Sequence, residues 1–283
     1  MKTEHLTPLV HHAQQIRIAI IEMLLAAGSG HSAGPLGMAD VMTALYFICL
    51  NIDPERPNWA GRDRLYLSCG HIAPVLYATL AERGFFPKKE LKTLRQFGSR
   101  LQGHPHIQSL PGIENTSGPL GQGLSQAIGA ALAARLLDQK QHIFCILSDG
   151  EHDEGQTYEA LLYAGAHRLN NLIALVDRNN IQIDGPTEKV LPLEPLDQKY
   201  QAFGWQVYEV DGHNLAEIIT AVAAAREQSQ GPAVIICHTI PGKGVDFMEN
   251  DYRWHGQPPN TKQAKVALAE LRSLGGRIKR SEA

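Results

Sequence analysis

Two short polar segments carry residues that could bind a metal ion together with a phosphate group. Ser148-Asp149-Gly150 follows the apolar run 143–147, and Asn179-Asn180-Ile181 follows a second apolar run at 172–177. Together they offer one carboxylate, one amide oxygen and one backbone carbonyl. Mg²⁺ prefers hard oxygen ligands of this kind, keeps part of its water and commonly bridges to phosphates. The two segments therefore predict a split Mg²⁺ site.

A strand–helix–strand unit would bring these two segments together. The apolar runs are typical of short buried strands, and Gly155 to Leu169 between them has apolar residues at helical spacing. Because such units are right-handed, both strands end side by side at one edge of a parallel sheet. Open α/β sheets bind their ligands outside this carboxyl edge.

Histidine stands next to glycine in several predicted loops: Gly30-His31, Gly70-His71, Gly103-His104, Gly212-His213 and His255-Gly256. A single histidine in a loop is more often a surface or capping residue. The repeated pairing favours a function, because glycine lets the backbone approach a ligand closely and histidine titrates near neutral pH. The set is consistent with proton transfer on a polyhydroxylated substrate.

A glycine-rich segment, 117–125, opens a predicted helix and has two interpretations. It is either a plain helix start or a flat backbone surface that faces a ring or a phosphate with free N–H groups. The Asp149 segment has a similar alternative, in which Glu151, Asp153 and Glu154 form an acidic first turn that favours the helix dipole. That alternative leaves Asn179-Asn180-Ile181 unexplained.

The length of the chain and the alternation of its predicted elements indicate one α/β domain with a parallel sheet flanked by helices, spanning residues 1–283. An apolar content of 43% allows a large core, and the net charge of −3 gives no reason to expect a nucleic acid or a membrane surface as partner. The sequence has no transmembrane-length apolar run and no secretory signal pattern. Its four cysteines show no paired spacing, which favours reduced thiols and a cytoplasmic location.

The predicted elements alternate along the chain between helices and strands. An N-terminal helical arm (1–27) and a C-terminal helical tail (257–283) enclose the strand-rich part. The other predictions are helices at 38–50, 74–80, 88–96, 124–137 and 215–227, strands at 65–67, 207–210 and 233–238, and loops at 28–37 and 98–123.

The ordered set of motifs resembles the thiamine-diphosphate enzymes and, within them, the transketolases. The resemblance covers nearly the whole chain, and it implies the fold of a diphosphate-binding domain. Its motifs are 30–34, 67–71, 103–105, 116–123, 149–160, 177–185 and 240–256. The histidine loops distinguish it from the dehydrogenase and decarboxylase branches.

The resemblance implies a role for each matching residue. Mg²⁺ would be held by Asp149, the Asn179 side chain and the Ile181 carbonyl, while Gly150 and His71 would donate to the diphosphate of the cofactor. Gly118 and Leu120 would face the aminopyrimidine, and Glu154 would belong both to the cofactor-binding residues and to a network across the subunit interface. The catalytic histidines would be His31 and His255 at the C3 hydroxyl of the donor, His104 at its C1 hydroxyl, and also His71.

Two local departures from the family pattern raise the chance of an unusual sugar substrate. Ser148 stands where the family usually has glycine, and Ile72-Ala73-Pro74 after His71 is less usual. A serine hydroxyl is small enough to fit beside Mg²⁺, so we expect shifted surroundings and retained binding.

The resemblance also implies a partner chain. Transketolases bind the cofactor between two kinds of domain, and the second kind, which supplies a glutamate to the aminopyrimidine, has no counterpart after Gly256. We expect the N-terminal subunit of a split transketolase that acts on sugars or sugar phosphates in an α2β2 heterotetramer with a C-terminal subunit.

Three alternatives remain open at this point. The chain could belong to another two-subunit thiamine-diphosphate enzyme, of the deoxyxylulose-phosphate-synthase or α-ketoacid-dehydrogenase kind. It could be a subunit that binds the cofactor without catalysis, although the retained histidine loops argue against that. It could also be a Mg²⁺-dependent enzyme that handles phosphate without thiamine.

Overall fold

Five parallel strands form the central sheet of the computed structural model, which describes residues 6–281. The sheet has the order β1-β2-β3-β7-β6, and its strands are β1 (Arg64–Leu67), β2 (Ile143–Ser148), β3 (Leu172–Arg178), β6 (Gln206–Asp211) and β7 (Ala233–His238). Two short antiparallel strands, β4 (Ile181–Gln182) and β5 (Gly185–Pro186), form a separate hairpin. The predicted parallel α/β fold is confirmed.

Ten α-helices accompany these strands in the described part of the chain: α1 (Thr7–Ala27), α2 (Ala33–Gly37), α3 (Ala39–Ala44), α4 (Ala73–Arg83), α5 (Gly123–Leu136), α6 (Gly155–Ala166), α7 (Thr187–Val190), α8 (Leu196–Ala202), α9 (Leu215–Glu227) and α10 (Thr261–Ser281). Gly28, with a φ of 60°, ends α1 as predicted. None of the described helices is both long and apolar enough to cross a lipid bilayer.

Three predicted elements were wrong in detail. The predicted loop 28–37 contains α2, whose five residues are all buried. The predicted helix 38–50 changes from α3 to a π-helix at Leu45–Cys49, and the predicted helix 88–96 is a 3₁₀ helix at Lys88–Thr93. In α2, tertiary burial outweighs a local composition that is typical of loops.

Alternating side chains of the sheet pack into two separate apolar layers. Phe144 and Ile146 of β2 belong to the layer that contains α1, α3, α4 and α9. Ile143, Cys145 and Leu147 belong to the opposite layer, with α5, α6 and α8. This three-layer arrangement buries both faces of β2 and β3, as expected for a parallel sheet.

The predicted terminal segments are helical over most of their described residues, although the predicted tail begins with the non-helical residues 257–260 and α10 starts only at Thr261. α1 packs against α4 and α10, so the first and last helices lie together on one side of the molecule. Residues 1–5 of the predicted arm and residues 282–283 of the predicted tail lie outside the described residues. The prediction of one domain over 1–283 remains a prediction.

The carboxyl ends of four strands meet at one edge and position the candidate site. β2 and β3 are in register with Ser148 beside Asp177, so Asp149 lies next to the residues that follow β3. The loop after β1 begins with Ser68 and reaches His71, while the loop after β7 begins with Thr239.

Candidate active site at the carboxyl edge of the sheet

A cavity of about 340 Å³ opens at this edge. Its lining brings together the predicted site residues other than Glu154. The lining residues are His31, His71, His104, Gly118, Leu120, Ser148, Asp149, Gly150, Asn179, Ile181, Gln182, Ile183 and His255. Residues more than 220 positions apart in the sequence therefore meet in one pocket.

Three imidazole rings form a cluster on one wall of the cavity. The ring centroids of His31, His71 and His255 lie 5.0–5.4 Å from one another. Burial, followed by the neighbouring His255, lowers the pKa of His31 from 6.5 to about 4. Burial also lowers the pKa of His71 and of His255. These rings are therefore neutral at pH 7, and each can accept a proton at one nitrogen and donate from the other.

One buried imidazole nitrogen in the cavity lining lacks a hydrogen-bond partner among the described residues. The buried Nδ1 of His31 has none among the described residues. Because an unpaired buried polar atom is costly, the position favours a bound polar group. His104 also lines the cavity, but its side chain is exposed on one side. Its partial burial, followed by the charge of Arg95, lowers its pKa.

Asp149 is the carboxylate of the predicted metal site. Its side chain is 1% exposed. Oδ1 accepts the N–H of Gly150 at 2.7 Å, and Oδ2 accepts the N–H of Asn180 at 2.7 Å and Nη1 of Arg178 at 3.3 Å. Burial outweighs these donors and raises the pKa of Asp149 from 3.8 to about 6. The carboxylate would gain from a further cation on its cavity side.

The Asn179 amide is oriented by its neighbours. Its Nδ2 donates to Asp177 at 2.8 Å, and its Oδ1 accepts the N–H of Ile181 at 3.0 Å. Asp177 is itself buried and accepts the Thr239 hydroxyl. These contacts direct the amide oxygen away from Asp177, which is the orientation that a metal ligand needs.

The sequence analysis missed Asp177 and Arg178, which stand behind the two predicted ligands. Asp177 was assigned only as the last residue of a strand, and Arg178 was not assigned. The Arg178 guanidinium is buried and bonds Glu188 at 2.7 Å and Glu194 at 2.8 Å as well as Asp149. A charged residue at the end of an otherwise apolar strand was the available signal.

The contacts of Glu151 differ from those expected for an acidic residue that only favours the helix dipole. Its fully buried carboxylate accepts the Ser68 hydroxyl, the N–H of Gly121 at 2.7 Å and the N–H of Ser148 at 3.2 Å. It thus joins the loop after β1, the glycine-rich segment 117–125 and the turn 148–150. A Cβ on Gly123 would overlap the backbone of Ser68, so this loop lies flat because it contains glycine.

Glu154 lies outside the cavity lining and is exposed. A Cβ added to Gly121 would come within 2.9 Å of the Glu154 Cβ, so the two loops are in close contact. The predicted place of Glu154 in a network between subunits remains a prediction.

The donor set fits Mg²⁺ and a diphosphate. Asp149, the Asn179 amide and the Ile181 carbonyl supply only hard oxygen ligands. Among the described residues, no group of three or more His, Cys, Asp and Glu side chains is arranged to hold a metal. Further ligands at this position would therefore come from water or from the diphosphate.

Comparisons with known proteins agree with this geometry. A family model described as the transketolase, thiamine diphosphate binding domain matches residues 10–274. A 6-deoxy-6-sulfo-D-fructose transketolase subunit from Clostridium sp. is 44% identical, over 96% of this chain and 99% of the relative. An apulose-4-phosphate transketolase subunit from Phocaeicola vulgatus is 38% identical, over 92% of each chain.

Solved transketolase structures have the same fold. Transketolase from Campylobacter jejuni aligns with a TM-score of 0.88 at 32% identity, over 98% of this chain and 43% of that chain. The enzyme from Leishmania mexicana aligns with a TM-score of 0.89 at 32% identity, over 95% and 41%. The chain thus spans about two-fifths of the length of these structures. The predicted resemblance is confirmed: the chain belongs to the transketolase family and carries its thiamine diphosphate-binding domain.

Proposed function

We propose that this chain is the diphosphate-binding subunit of a two-chain transketolase. The complex would transfer a two-carbon glycolaldehyde unit from a ketose donor to an aldose acceptor, with thiamine diphosphate and Mg²⁺. The observation that carries the proposal is the single cavity that gathers His31, His71, His104 and His255 with the Asp149 turn.

The proposed cofactor contacts follow from the donor set. Mg²⁺ would be held by Asp149, Asn179 and the Ile181 carbonyl, while Gly150 and His71 would donate to the diphosphate. The Gly150 N–H now bonds Asp149, so it would exchange that partner for the diphosphate. Gly118 and Leu120, which also line the cavity, would face the aminopyrimidine. When bound, thiamine diphosphate supplies the carbanion chemistry at the donor carbonyl.

The histidines of the chain would handle the protons of the substrate. His31 and His255, with centroids 5.4 Å apart, would share the proton of the donor C3 hydroxyl, and His104 would hold the C1 hydroxyl. A neutral imidazole is needed to accept a proton, and the lowered pKa of each ring keeps it neutral at pH 7. General-base assistance of this kind contributes about 10²–10⁴-fold to a rate.

The two-chain organisation is supported by the relatives. The two subunit relatives are matched over 99% and 92% of their length, and both are named as subunits. We therefore propose that the partner is a C-terminal subunit, that the assembly is α2β2 with Glu154 at its interface, and that the location is cytoplasmic. The names of both relatives include a sugar with an anionic group, sulfo in one and phosphate in the other, which supports a similarly charged sugar substrate here.

Reconstitution with the candidate partner tests the proposal. We expect the complex to transfer glycolaldehyde from a ketose phosphate but not to decarboxylate pyruvate, and the purified chain alone to show no transfer. A circular-dichroism change on adding thiamine diphosphate to the complex would exclude a thiamine-independent enzyme. Robust turnover by the single chain, or turnover of pyruvate only, would refute the proposal.

A matched pair of histidine variants locates the chemistry. His104→Asn should lower kcat/KM of the complex by about 10²-fold, because the donor would lose the contact that orients its C1 hydroxyl. His106→Asn should leave it unchanged, because His106 is exposed and absent from the cavity lining. Equal effects of the two substitutions would contradict the assignment.

A further inference from the structure

Arg95 lies between two of the glycine–histidine loops. Its backbone has a φ of 59°, and its N–H donates to the Leu101 carbonyl at 2.8 Å. Its Nη1 donates to the Ser29 hydroxyl at 2.9 Å, at the start of the loop that carries His31. This contact connects residues 66 positions apart.

The glycine of the His104 loop makes room for this guanidinium. A Cβ on Gly103 would lie 2.9 Å from both Cζ and Nε of Arg95. A Cβ on Gly30 would lie 3.8 Å from Nε, an ordinary van der Waals distance, so the guanidinium also lies beside the His31 loop. Contacts of 2.9 Å do not occur for real Cβ atoms, so residue 103 must be glycine if the guanidinium is to stay in place. The glycine before His104 therefore serves the packing of Arg95.

The charge of Arg95 is not neutralised by a carboxylate among the described side chains. Arg100, five residues further on, pairs with Glu90 at 2.8 Å, whereas Arg95 forms no ion pair with any described residue. Arg95 instead acts electrostatically on His31, on His104 and on Tyr77.

Among the groups that act electrostatically on His31 and His104, Arg95 is the one with a permanent charge. The titratable or charged groups that act on His31 are His255, Arg95 and His104, with His71 in ring contact. Arg95 is the charged group that acts on His104. Each of the other groups is an imidazole that is neutral at pH 7.

We infer that Arg95 is a positioning residue that joins the His31 and His104 loops and keeps a permanent positive charge near both imidazoles. Together with burial, the charge disfavours protonation of the rings, so as the pH falls below neutral His31 stays able to accept a proton and His104 stays able to hold a hydroxyl. The catalytic meaning of this inference rests on the proposed function, but the electrostatic effect itself does not.

Imidazole titration by NMR in the full-length chain tests the inference without any turnover. In Arg95→Gln we expect the pKa of both His31 and His104 to rise by roughly half to one pH unit. Arg95→Lys keeps the charge and should give a smaller rise. Arg100→Gln removes another exposed charge from the same segment and should change neither ring. Unchanged titration of both rings in Arg95→Gln, or equal rises in the Gln and Lys variants, would overturn the inference.

Gly103→Ala provides a second route that keeps the arginine. The added methyl group would displace the guanidinium, so the pKa of His104 should rise while the total charge stays constant. In the reconstituted complex, the acidic limb of the kcat/KM profile should move to higher pH in Arg95→Gln but not in Arg100→Gln. If the complex proves to have another activity, the NMR result still decides whether Arg95 sets the protonation of the two rings.

Discussion

Asp149→Asn is the most direct test of the proposed metal site, because it removes the charge of the carboxylate and keeps its shape. The side chain is buried and accepts two backbone N–H groups, from Gly150 and Asn180, on separate oxygens. Arg178 contacts the second oxygen at 3.3 Å. The negative charge of this buried carboxylate opposes folding but favours metal binding. The substitution should therefore weaken metal binding without preventing folding.

Two opposing effects set the cost to folding. The pKa of Asp149 is raised from 3.8 to about 6, so the folded state prefers the protonated form, and its contribution to stability is lost as pH rises through this interval. At pH 7 the ionised carboxylate costs about 3 kcal/mol, which an amide avoids. The amide NH₂, however, faces one backbone N–H and leaves it unpaired, at a cost of about 1–3 kcal/mol. The net change should stay within about 2 kcal/mol, and the variant should fold.

The effect on binding should be much larger. Asp149 is the charged ligand of the proposed set, and removing groups that merely orient a metal ligand already costs 10–100-fold in affinity. We therefore expect Asp149→Asn to weaken Mg²⁺-dependent binding of thiamine diphosphate by at least about 100-fold, or about 2.7 kcal/mol.

Calorimetry on the reconstituted complex, with Mg²⁺ and with EDTA, measures this loss. Urea unfolding of the free chain checks that the variant is folded. Asp184→Asn is the matched control, because Asp184 is exposed on the neighbouring hairpin and absent from the cavity lining. A folded Asp149→Asn variant with unchanged Mg²⁺-dependent affinity would refute the metal assignment.

Three further substitutions test the packing of the helices and the second buried carboxylate. Gly165→Ala should lower the free energy of unfolding by about 4 kcal/mol or more, because a Cβ there would overlap the Phe203 carbonyl. Gly129→Ala, in open space on α5, should raise the free energy of unfolding by about 0.5–1 kcal/mol. Similar urea midpoints for the two variants would contradict this packing. Burial raises the pKa of Asp177 from 3.8 to about 7, so the contribution of Asp177 to stability is lost as pH rises from about 4 to 7. The stability of Asp177→Asn relative to the wild type should therefore increase over this interval. A wild-type slope in the Asp177→Asn variant would show that another group causes the pH dependence.

Much of the fold could be predicted because local patterns carry it. The apolar run 233–238 and the helix 215–227 have the predicted bounds, since each is delimited by polar residues and has one clear period. By contrast, α2 lies in a segment rich in glycine, serine and proline, and only tertiary burial makes it helical. The π-helix at Leu45–Cys49 likewise depends on contacts that no local pattern specifies.

The candidate site was predictable where ligands lie at strand ends. Asp149 and Asn179 follow adjacent parallel strands, so the βαβ rule alone places them together. Glu151 was interpreted as a residue of a helical turn, because its partner Ser68 lies 83 positions away. Arg95 was missed for the same reason: its role depends on two loops that approach each other only in the folded chain.

We propose that the charges behind the turns 148–150 and 179–181 make this edge favour an anionic cofactor only together with a divalent cation. Arg178 is shared by three carboxylates, those of Asp149, Glu188 and Glu194, and Asp177 adds a fourth acidic group nearby. The raised pKa values of Asp149 and Asp177 reflect burial that these few donors do not offset. The described lining of the cavity contains no Lys or Arg. A diphosphate would add about two to three negative charges, so the edge would repel it unless a cation such as Mg²⁺ balanced both the diphosphate and Asp149.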